Sequence, residues 1–135
     1  MIIAIGTDII EISRIEAASK NKPGFRERIL TKKEVDLLAS KGNRSSSLAA
    51  SFAAKEAVSK VLGTGIGEVA WHDIEILNND KGAPYVRLHG RAKEIALQLG
   101  IDEILISITH DKRIAYANAL GQQVNKREGL PYNRK

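Results

Sequence analysis

The apolar positions of this chain follow two different periods, and each change of period marks the start of a new predicted element. From residue 2 to residue 9 the chain alternates, with isoleucines on one face and Ala4, Gly6 and Asp8 on the other. Alternation of this kind predicts a strand. The strand carries a patch of small residues that contains one carboxylate.

Two amphipathic helices follow this strand. Apolar residues at helical spacing predict a helix over residues 11 to 18, and the Pro-Gly pair at 23–24 then breaks the chain. Thr31 and Glu34 have the spacing of a capping box, in which each side chain accepts a hydrogen bond from the other residue's backbone N–H. This spacing predicts a second helix that ends near Gly42.

The segment SFAAKEAVSK belongs to a longer helix, about residues 45 to 62, that is apolar on nearly every side. We expect such a helix to be buried, with serines 45–47 as its cap and Gly63 as its stop. Glu56 and Lys60 nevertheless stand among its alanines. The simplest interpretation is an exposed i,i+4 ion pair in the favourable order. The alternative is that both side chains line a cleft, where a ligand offsets their desolvation.

The second half of the chain has mainly the strand period. A hairpin is predicted around the turn NNDKGAP, followed by a helix over residues 90 to 99 that Gly100 ends. ILISITHD is predicted to be a buried strand, and Asp111 to Arg113 turn it into a last strand, IAYANAL. The order of elements predicts a single α+β domain, in which a mostly antiparallel sheet packs against helices that include the long buried one.

Composition limits the classes of protein and site to consider. The 135 residues suffice for one domain, and the absence of cysteine excludes disulfides and thiolate metal sites. The first twelve residues are apolar, but they contain Asp8 and Glu11 and no basic residue, which argues against a signal peptide. No other apolar run is long enough to span a bilayer, so we expect a cytoplasmic protein without membrane segments. The net charge of +5 suits nucleic acid, phosphorylated ligands or an acidic protein partner. We assign residues 1–124 to the domain and residues 125–135 to a basic tail, expected to be disordered.

Asp8 is the candidate second carboxylate for a site around Glu56. Mg²⁺ takes one or two protein carboxylates and completes its octahedron with water and phosphate oxygens, and Lys60 would bind the same phosphates as a point charge. The loop GTGIG follows a helix instead of opening one, so it is neither a Walker loop nor a dinucleotide fingerprint, and a helix stop explains it. For His110, at the end of an isoleucine-lined strand, packing and ligand contact are both open.

Four segments of the chain, GTDIIEISRI, SFAAKEAVSKVLGTGIG, DIEILNNDKGAP and ISITHD, occur in this order. Together they closely resemble the family of holo-[acyl-carrier-protein] synthases, the small bacterial 4′-phosphopantetheinyl transferases, over roughly residues 1 to 120. The combination of G-x-D-I with F-A-A-K-E-A-x-x-K and G-T-G-I is highly specific.

The resemblance implies that Asp8 and Glu56 hold Mg²⁺ against the pyrophosphate of coenzyme A, and that Lys60 contacts phosphate. It also implies a homotrimer in which neighbouring subunits share each cleft. The implied catalytic positions are Glu56, Lys60 and His110, and the implied nucleotide-contacting positions are Lys60, Gly63, Gly65, Pro84 and His110.

Partner docking is a further implication of the resemblance. Arg14, Phe25 and Arg28 match positions that the family uses to grip its acidic acyl carrier protein. One departure is Ser51, because family members commonly have a basic residue directly before F-A-A-K-E-A. We expect Arg44, in the preceding loop, to compensate for this missing phosphate contact.

The implied reaction transfers 4′-phosphopantetheine from coenzyme A to a serine of an apo acyl carrier protein and releases 3′,5′-ADP. Such a transfer needs in-line positioning and stabilisation of charge. The proton of the serine can leave through a metal-ordered water, Glu56 or His110, and the sequence does not choose among them.

One rival function is a nucleic-acid-binding module. The low aromatic content, 4% of the chain, argues against this function. The other is a non-catalytic coenzyme A-binding or nucleotide-binding protein of the same fold.

Overall fold

A computed structural model describes residues 1–124, and the predicted basic tail at 125–135 lies outside these described residues. The strands are β1 (Ile2–Glu11), β2 (Ile74–Asn78), β3 (Pro84–Leu88), β4 (Glu103–His110) and β5 (Ile114–Gln122), and the helices are α1 (Ile12–Asn21), α2 (Phe25–Ile29), α3 (Lys32–Ser40), α4 (Ser45–Val61) and α5 (Gly90–Leu99). No helix in this part of the chain combines the length and the apolar character that a membrane crossing requires.

The strands form two antiparallel sheets. One has three strands in the order β1-β5-β4, and the other is the predicted β2–β3 hairpin. The predicted α+β class with antiparallel pairing is therefore confirmed, but the strands do not form one continuous sheet. The turn between β4 and β5 forms as expected, because the Oδ1 atom of Asp111 accepts hydrogen bonds from the backbone N–H groups of Arg113 and Ile114 at 2.7 and 2.8 Å.

The long helix α4 packs on the inner face of the three-stranded sheet, mainly over β5 and β1. The inner face of β5 consists of small residues, Ala115, Ala117, Ala119 and Gly121, all of them buried. A Cβ atom at Gly121 would lie 2.6 Å from the Cγ1 atom of Val61. The small side chains of β5 therefore allow a close helix–sheet contact, and this contact buries the alanine-rich helix as the sequence predicted.

Two predictions about helix ends have different outcomes. The capping box is confirmed, because the Thr31 side chain accepts from the Glu34 backbone and the Glu34 side chain accepts from the Thr31 backbone. The serine cap of α4 is wrong. Arg44 is the N-cap residue of α4, without a side-chain hydrogen bond, and the serines lie inside the first helical turn.

The short helix α2 was not predicted, since its five residues contain too little of the helical period to recognise.

The outer face of the three-stranded sheet is open in a single chain. Ile5 and Ile9 on β1 are 69% and 58% exposed, and Leu105 on β4 is 37% exposed. The prediction that ILISITHD is a buried strand is therefore wrong. β4 is an edge strand whose Ile104, Ile106 and Ile108 face the core while the alternate residues point outward.

Candidate active site

Gly6 on β1 brings the first candidate carboxylate to the long helix. A Cβ atom at this position would lie 2.2 Å from the carbonyl oxygen of Ala57 and 3.0 Å from the Cβ atom of Lys60. Only glycine allows this approach without a shift of the backbone. Asp8 is two residues further along the same strand face. The G-x-D spacing therefore places the Asp8 carboxylate next to the C-terminal half of α4.

Lys60 forms its ion pair with Asp8 and not with Glu56. Its Nζ atom donates a hydrogen bond to the carbonyl oxygen of Thr7 at 2.8 Å and lies 3.4 Å from the Oδ1 atom of Asp8. Within residues 1–124, Glu56 has no salt-bridge partner. The simple interpretation of an i,i+4 pair between Glu56 and Lys60 is therefore wrong.

The two carboxylates lie close enough to affect each other. Desolvation raises the pKa of Asp8 above its ordinary value, although the Lys60 ammonium acts against this. Desolvation also raises the pKa of Glu56, the negative charge of Asp8 raises it further, and Lys60 partly opposes both. Two half-buried carboxylates that both gain from added positive charge suit a hard cation chemically.

The loop after α4 exposes its backbone beside this pair of carboxylates. Gly63 and Gly65 have φ angles of 77° and 66°, which favour glycine. Within residues 1–124, no atom beyond the two adjacent residues lies within 4 Å of where a Cβ atom would be at either position. The absence of neighbouring atoms leaves room for a ligand to approach this backbone closely.

Pro84 and His110 lie in a different place from the carboxylates. Both line a cavity of about 190 Å³ together with Ser51. At about 100° per residue, the nine steps along α4 from Ser51 to Lys60 leave a net rotation of about 180°. The side chains of Ser51 and Lys60 therefore leave α4 on opposite sides. A single chain therefore does not bring Pro84 and His110 to the carboxylates. Arg44 is exposed and does not line this cavity.

The three predicted docking residues differ in exposure. Arg14 and Arg28 are exposed on α1 and α2. Phe25 is only 8% exposed, and it packs in a hydrophobic cluster with Ile15 and Leu38. The ring of Phe25 holds α2 against the core, and its part in docking stays a prediction.

A buried ion pair next to the site was not predicted from the sequence. Lys55, directly before Glu56, is completely buried, and its Nζ atom lies 2.8 Å from the Oε1 atom of Glu34. The same ammonium donates to the carbonyl oxygens of Trp71 and Ile74. Burial lowers the pKa of Lys55, and the negative charge of Glu34 opposes this. A lysine on the apolar side of a buried helix was the available signal, since a buried charge requires a partner.

Comparison with known proteins gives matches over most of the chain. A family model described as the 4′-phosphopantetheinyl transferase superfamily matches residues 4–117. The holo-[acyl-carrier-protein] synthase of Alkaliphilus metalliredigens is 50% identical over 120 residues, which are 89% of this chain and 98% of that protein. These matches confirm the resemblance inferred from the motifs.

Solved structures also match this fold. The holo-[acyl-carrier-protein] synthase of Helicobacter pylori in complex with coenzyme A has a TM-score of 0.76 and 39% identity, over 87% of this chain and 99% of that one. The holo-(acyl-carrier-protein) synthase of Bacillus anthracis in complex with CoA (3′,5′-ADP) has a TM-score of 0.75 and 38% identity, over 92% of this chain and 99% of that one.

Proposed function

The chain belongs to the 4′-phosphopantetheinyl transferase superfamily, and we propose that it transfers 4′-phosphopantetheine from coenzyme A to a serine of an apo acyl carrier protein. The products are the holo carrier protein and 3′,5′-ADP, and the reaction depends on Mg²⁺. The observation that carries this proposal is the meeting of Asp8, Glu56 and Lys60 at the close contact between β1 and α4. The cytoplasmic location expected from the sequence stays a prediction.

Asp8 and Glu56 are the residues that would hold Mg²⁺. The fit is supported by their chemistry, because both are oxygen ligands, both are half-buried and each has a raised pKa that a nearby cation would lower. A magnesium ion bound there supplies positive charge against the pyrophosphate oxygens of coenzyme A.

Lys60, Gly63 and Gly65 would bind the phosphates beside the carboxylates. A lysine ammonium has three donor hydrogens, and Lys60 uses them here only for Thr7 and Asp8. Its side chain is 52% exposed, so it can turn toward a phosphate oxygen. The open backbone at the two glycines lets the phosphate approach without a clash.

These groups act by positioning and by charge. The serine hydroxyl of the carrier protein attacks the β-phosphorus of coenzyme A, the bond to the leaving 3′,5′-ADP oxygen breaks, and Lys60 stabilises the charge that develops on the phosphate oxygens. The Glu56 carboxylate and the His110 imidazole are the side chains that can accept the serine proton. His110 reaches the same cleft only from a neighbouring subunit.

A homotrimer with shared clefts accounts for the two separated halves of the site. One half is formed by Asp8, Glu56 and Lys60, and the other half by Pro84 and His110, across α4. A second copy is needed to bring the two halves together. The open outer sheet face supports this assembly, because a monomer would leave Ile5, Ile9 and Leu105 in water.

A subunit-mixing experiment tests the shared cleft. Asp8→Asn and His110→Ala are each expected to be inactive as homotrimers. After mixing and reassembly in equal amounts, about one quarter of the clefts would combine two intact halves, so activity should return to about that fraction. The absence of any recovery, with exchange of subunits verified by native mass spectrometry, would contradict the shared site.

The exposed Arg14 and Arg28 provide a basic docking face for the acidic carrier protein. Reversing both to Glu should raise KM for the carrier protein while the Kd for coenzyme A stays near its original value. Unchanged kinetics would rule out this face.

The function itself is tested by the intact mass of an apo acyl carrier protein after incubation with the chain, coenzyme A and Mg²⁺. We expect a gain of one phosphopantetheine group, which EDTA and Glu56→Gln should both abolish. A chain that binds coenzyme A but adds no mass to several carrier proteins would be a non-catalytic binder. Binding of nucleic acid, unaffected by Glu56→Gln, would favour the other rival.

A further inference from the structure

A second cavity, of about 640 Å³, lies at the junction of the two sheets, where β3 and β4 contact each other without pairing. Helix α5 forms another of its walls, and its lining shares only Pro84 with the smaller cavity described above. Three large apolar side chains of this lining are exposed to water, Tyr85, Leu97 and Leu105. Apolar surface that is grouped in this way favours an apolar occupant.

The described part of the chain ends at the rim of this larger cavity. The backbone N–H of Val124 donates a hydrogen bond to the Oδ1 atom of Asp102 at 2.9 Å, and Asp102 lines the cavity. The backbone N–H of Gln123 donates to the carbonyl oxygen of Met1 at 2.8 Å. These two hydrogen bonds fix the point at which the chain leaves β5. Residues 125–135 therefore begin beside Asp102.

The sequence of residues 125–135 suits the larger cavity in its apolar content and its length. Leu130, Pro131 and Tyr132 are consecutive, and basic residues stand on both sides of them, Lys126, Arg127, Arg134 and Lys135. The six residues from Val124 to Leu130 can span at most about 20 Å. The part of β4 that lines the cavity, residues 103–106, is only about 10 Å long. The apolar residues of the tail can therefore reach along the whole of it.

The charges of the cavity and of the tail are opposite in sign. Asp102 and Glu103 line the cavity at the point where the chain leaves it, and Lys93 is the cation among the described lining residues, so the lining has a net charge of −1. Residues 125–135 hold four basic residues against one acidic residue, a net charge of +3. Lys126 and Arg127 are the second and third residues of the tail, so they stay close to both carboxylates. Charges arranged in this way favour one register of docking.

We propose that the larger cavity is the docking site of the chain's own tail, with Leu130 and Tyr132 as the side chains that fill it. A short tether gives the tail an effective concentration of about 1 mM at the cavity, which favours it over a second copy or another protein. This inference departs from the disorder expected of the tail from its composition. It does not depend on the proposed reaction, and the docked residues lie beyond the family match, which ends at residue 117.

Because the chain contains no cysteine, pairs of introduced cysteines can test this docking in the full-length protein. Leu130→Cys is combined either with Leu97→Cys or with Leu99→Cys, and each pair is treated with bis-maleimidoethane. Leu99 is the matched control, since it is also an exposed leucine of α5 but does not line the cavity and points about 200° away from Leu97. The crosslink within one chain, measured by intact mass and peptide mapping, should form about 10-fold faster with Leu97→Cys. Equal rates would overturn the proposal and leave the cavity to another occupant.

A second measurement leaves the cavity itself unchanged. Leu130→Ser combined with Tyr132→Ser removes the two side chains proposed to dock, and it should shift the methyl NMR signals of Leu97 and Leu105. The control is Asn125→Ser combined with Asn133→Ser, which places the same number of serines in the tail without removing an apolar group. Methyl signals that are identical in the wild-type chain and the Leu130–Tyr132 variant would refute the docking.

Two further arms test the choice of occupant and the role of charge. Isotopically heavy Leu97→Cys chains are mixed with light Leu130→Cys chains, and a crosslink between them that forms faster than the one within the double variant would assign the cavity to the tail of a second copy. Asp102→Asn combined with Glu103→Gln should slow the crosslink within one chain about 3-fold, because it removes two exposed charge pairs. An unchanged rate would refute the role of the two carboxylates.

Discussion

Lys55 is the residue whose removal should damage this fold most. Replacement by methionine keeps the length of the side chain but removes the ammonium that sits 2.8 Å from the Glu34 carboxylate. The Glu34 carboxylate would then be buried without a cation. The carbonyl oxygens of Trp71 and Ile74 would lose their donor as well. Three partners from two distant parts of the chain are therefore affected at once.

The expected loss of unfolding free energy is about 3–5 kcal/mol, which is the usual cost of leaving one member of a buried ion pair behind. Because domains are stable by only about 5–15 kcal/mol, this is a large fraction of the total. Glu34→Gln should cost less. Lys55 would keep its two carbonyl acceptors, and burial already lowers its pKa, which makes its neutral form more accessible.

Urea unfolding at a fixed protomer concentration measures these losses, and the midpoint of Lys55→Met should fall by about 2 M. The control is Lys20→Met. Its i,i+4 pair with Glu16 is solvent-exposed on α1, so its loss should cost at most about 0.5 kcal/mol. If Lys55→Met costs less than about 1 kcal/mol, the pair does not stabilise the protein and the reasoning is refuted.

Three further predictions concern Gly6, Lys60 and Glu75. Gly6→Ala should cost about 1–3 kcal/mol by urea unfolding and weaken Mg²⁺ binding by calorimetry, because its Cβ would meet the Ala57 carbonyl oxygen at 2.2 Å; a neutral result would contradict the close approach. Removing the Lys60 ammonium with Lys60→Met should raise the pKa of Asp8 in a metal-free NMR titration, and a fall would refute the pairing. Burial alone would raise the pKa of Glu75, but hydrogen bonds from Thr31 and His89 lower it below 4.5. Its stabilisation is therefore present above pH 4.5 and lost as the pH falls through the lowered value. The stability difference between wild type and Glu75→Gln should accordingly shrink below pH 4.5, and a constant difference would count against this linkage.

The local elements of the fold were predictable because their signals lie within a few residues. The capping box at Thr31 and Glu34, the hairpin around NNDKGAP and the buried α4 each depend on spacing along one segment. The elements that were missed or predicted incorrectly, α2 and β4, lacked such a local signal. α2 is too short to show a period, and the same alternation fits β4 as an edge strand or as a covered one.

The candidate site was predictable in its residue types but only partly in its arrangement. The motifs identified Asp8, Glu56 and Lys60, and the structure brings them together through the close approach at Gly6. No spacing rule indicated that Lys60 would pair with Asp8 instead of Glu56. The choice depends on which strand lies against the helix, and strand packing is not encoded within a ten-residue window.

By itself, the sequence determined the family, most of the elements and the candidate residues of the site, because periods of two and 3.6 residues and short motifs are properties of neighbouring positions. The tertiary structure alone decided which groups meet. It joined Glu34 to Lys55, buried Phe25, kept Arg44 away from the cavity, and put the two groups of candidate site residues on opposite sides of α4. The physical reason is that burial and pairing depend on how elements pack across the sheet, where residues distant in the chain share one desolvated space.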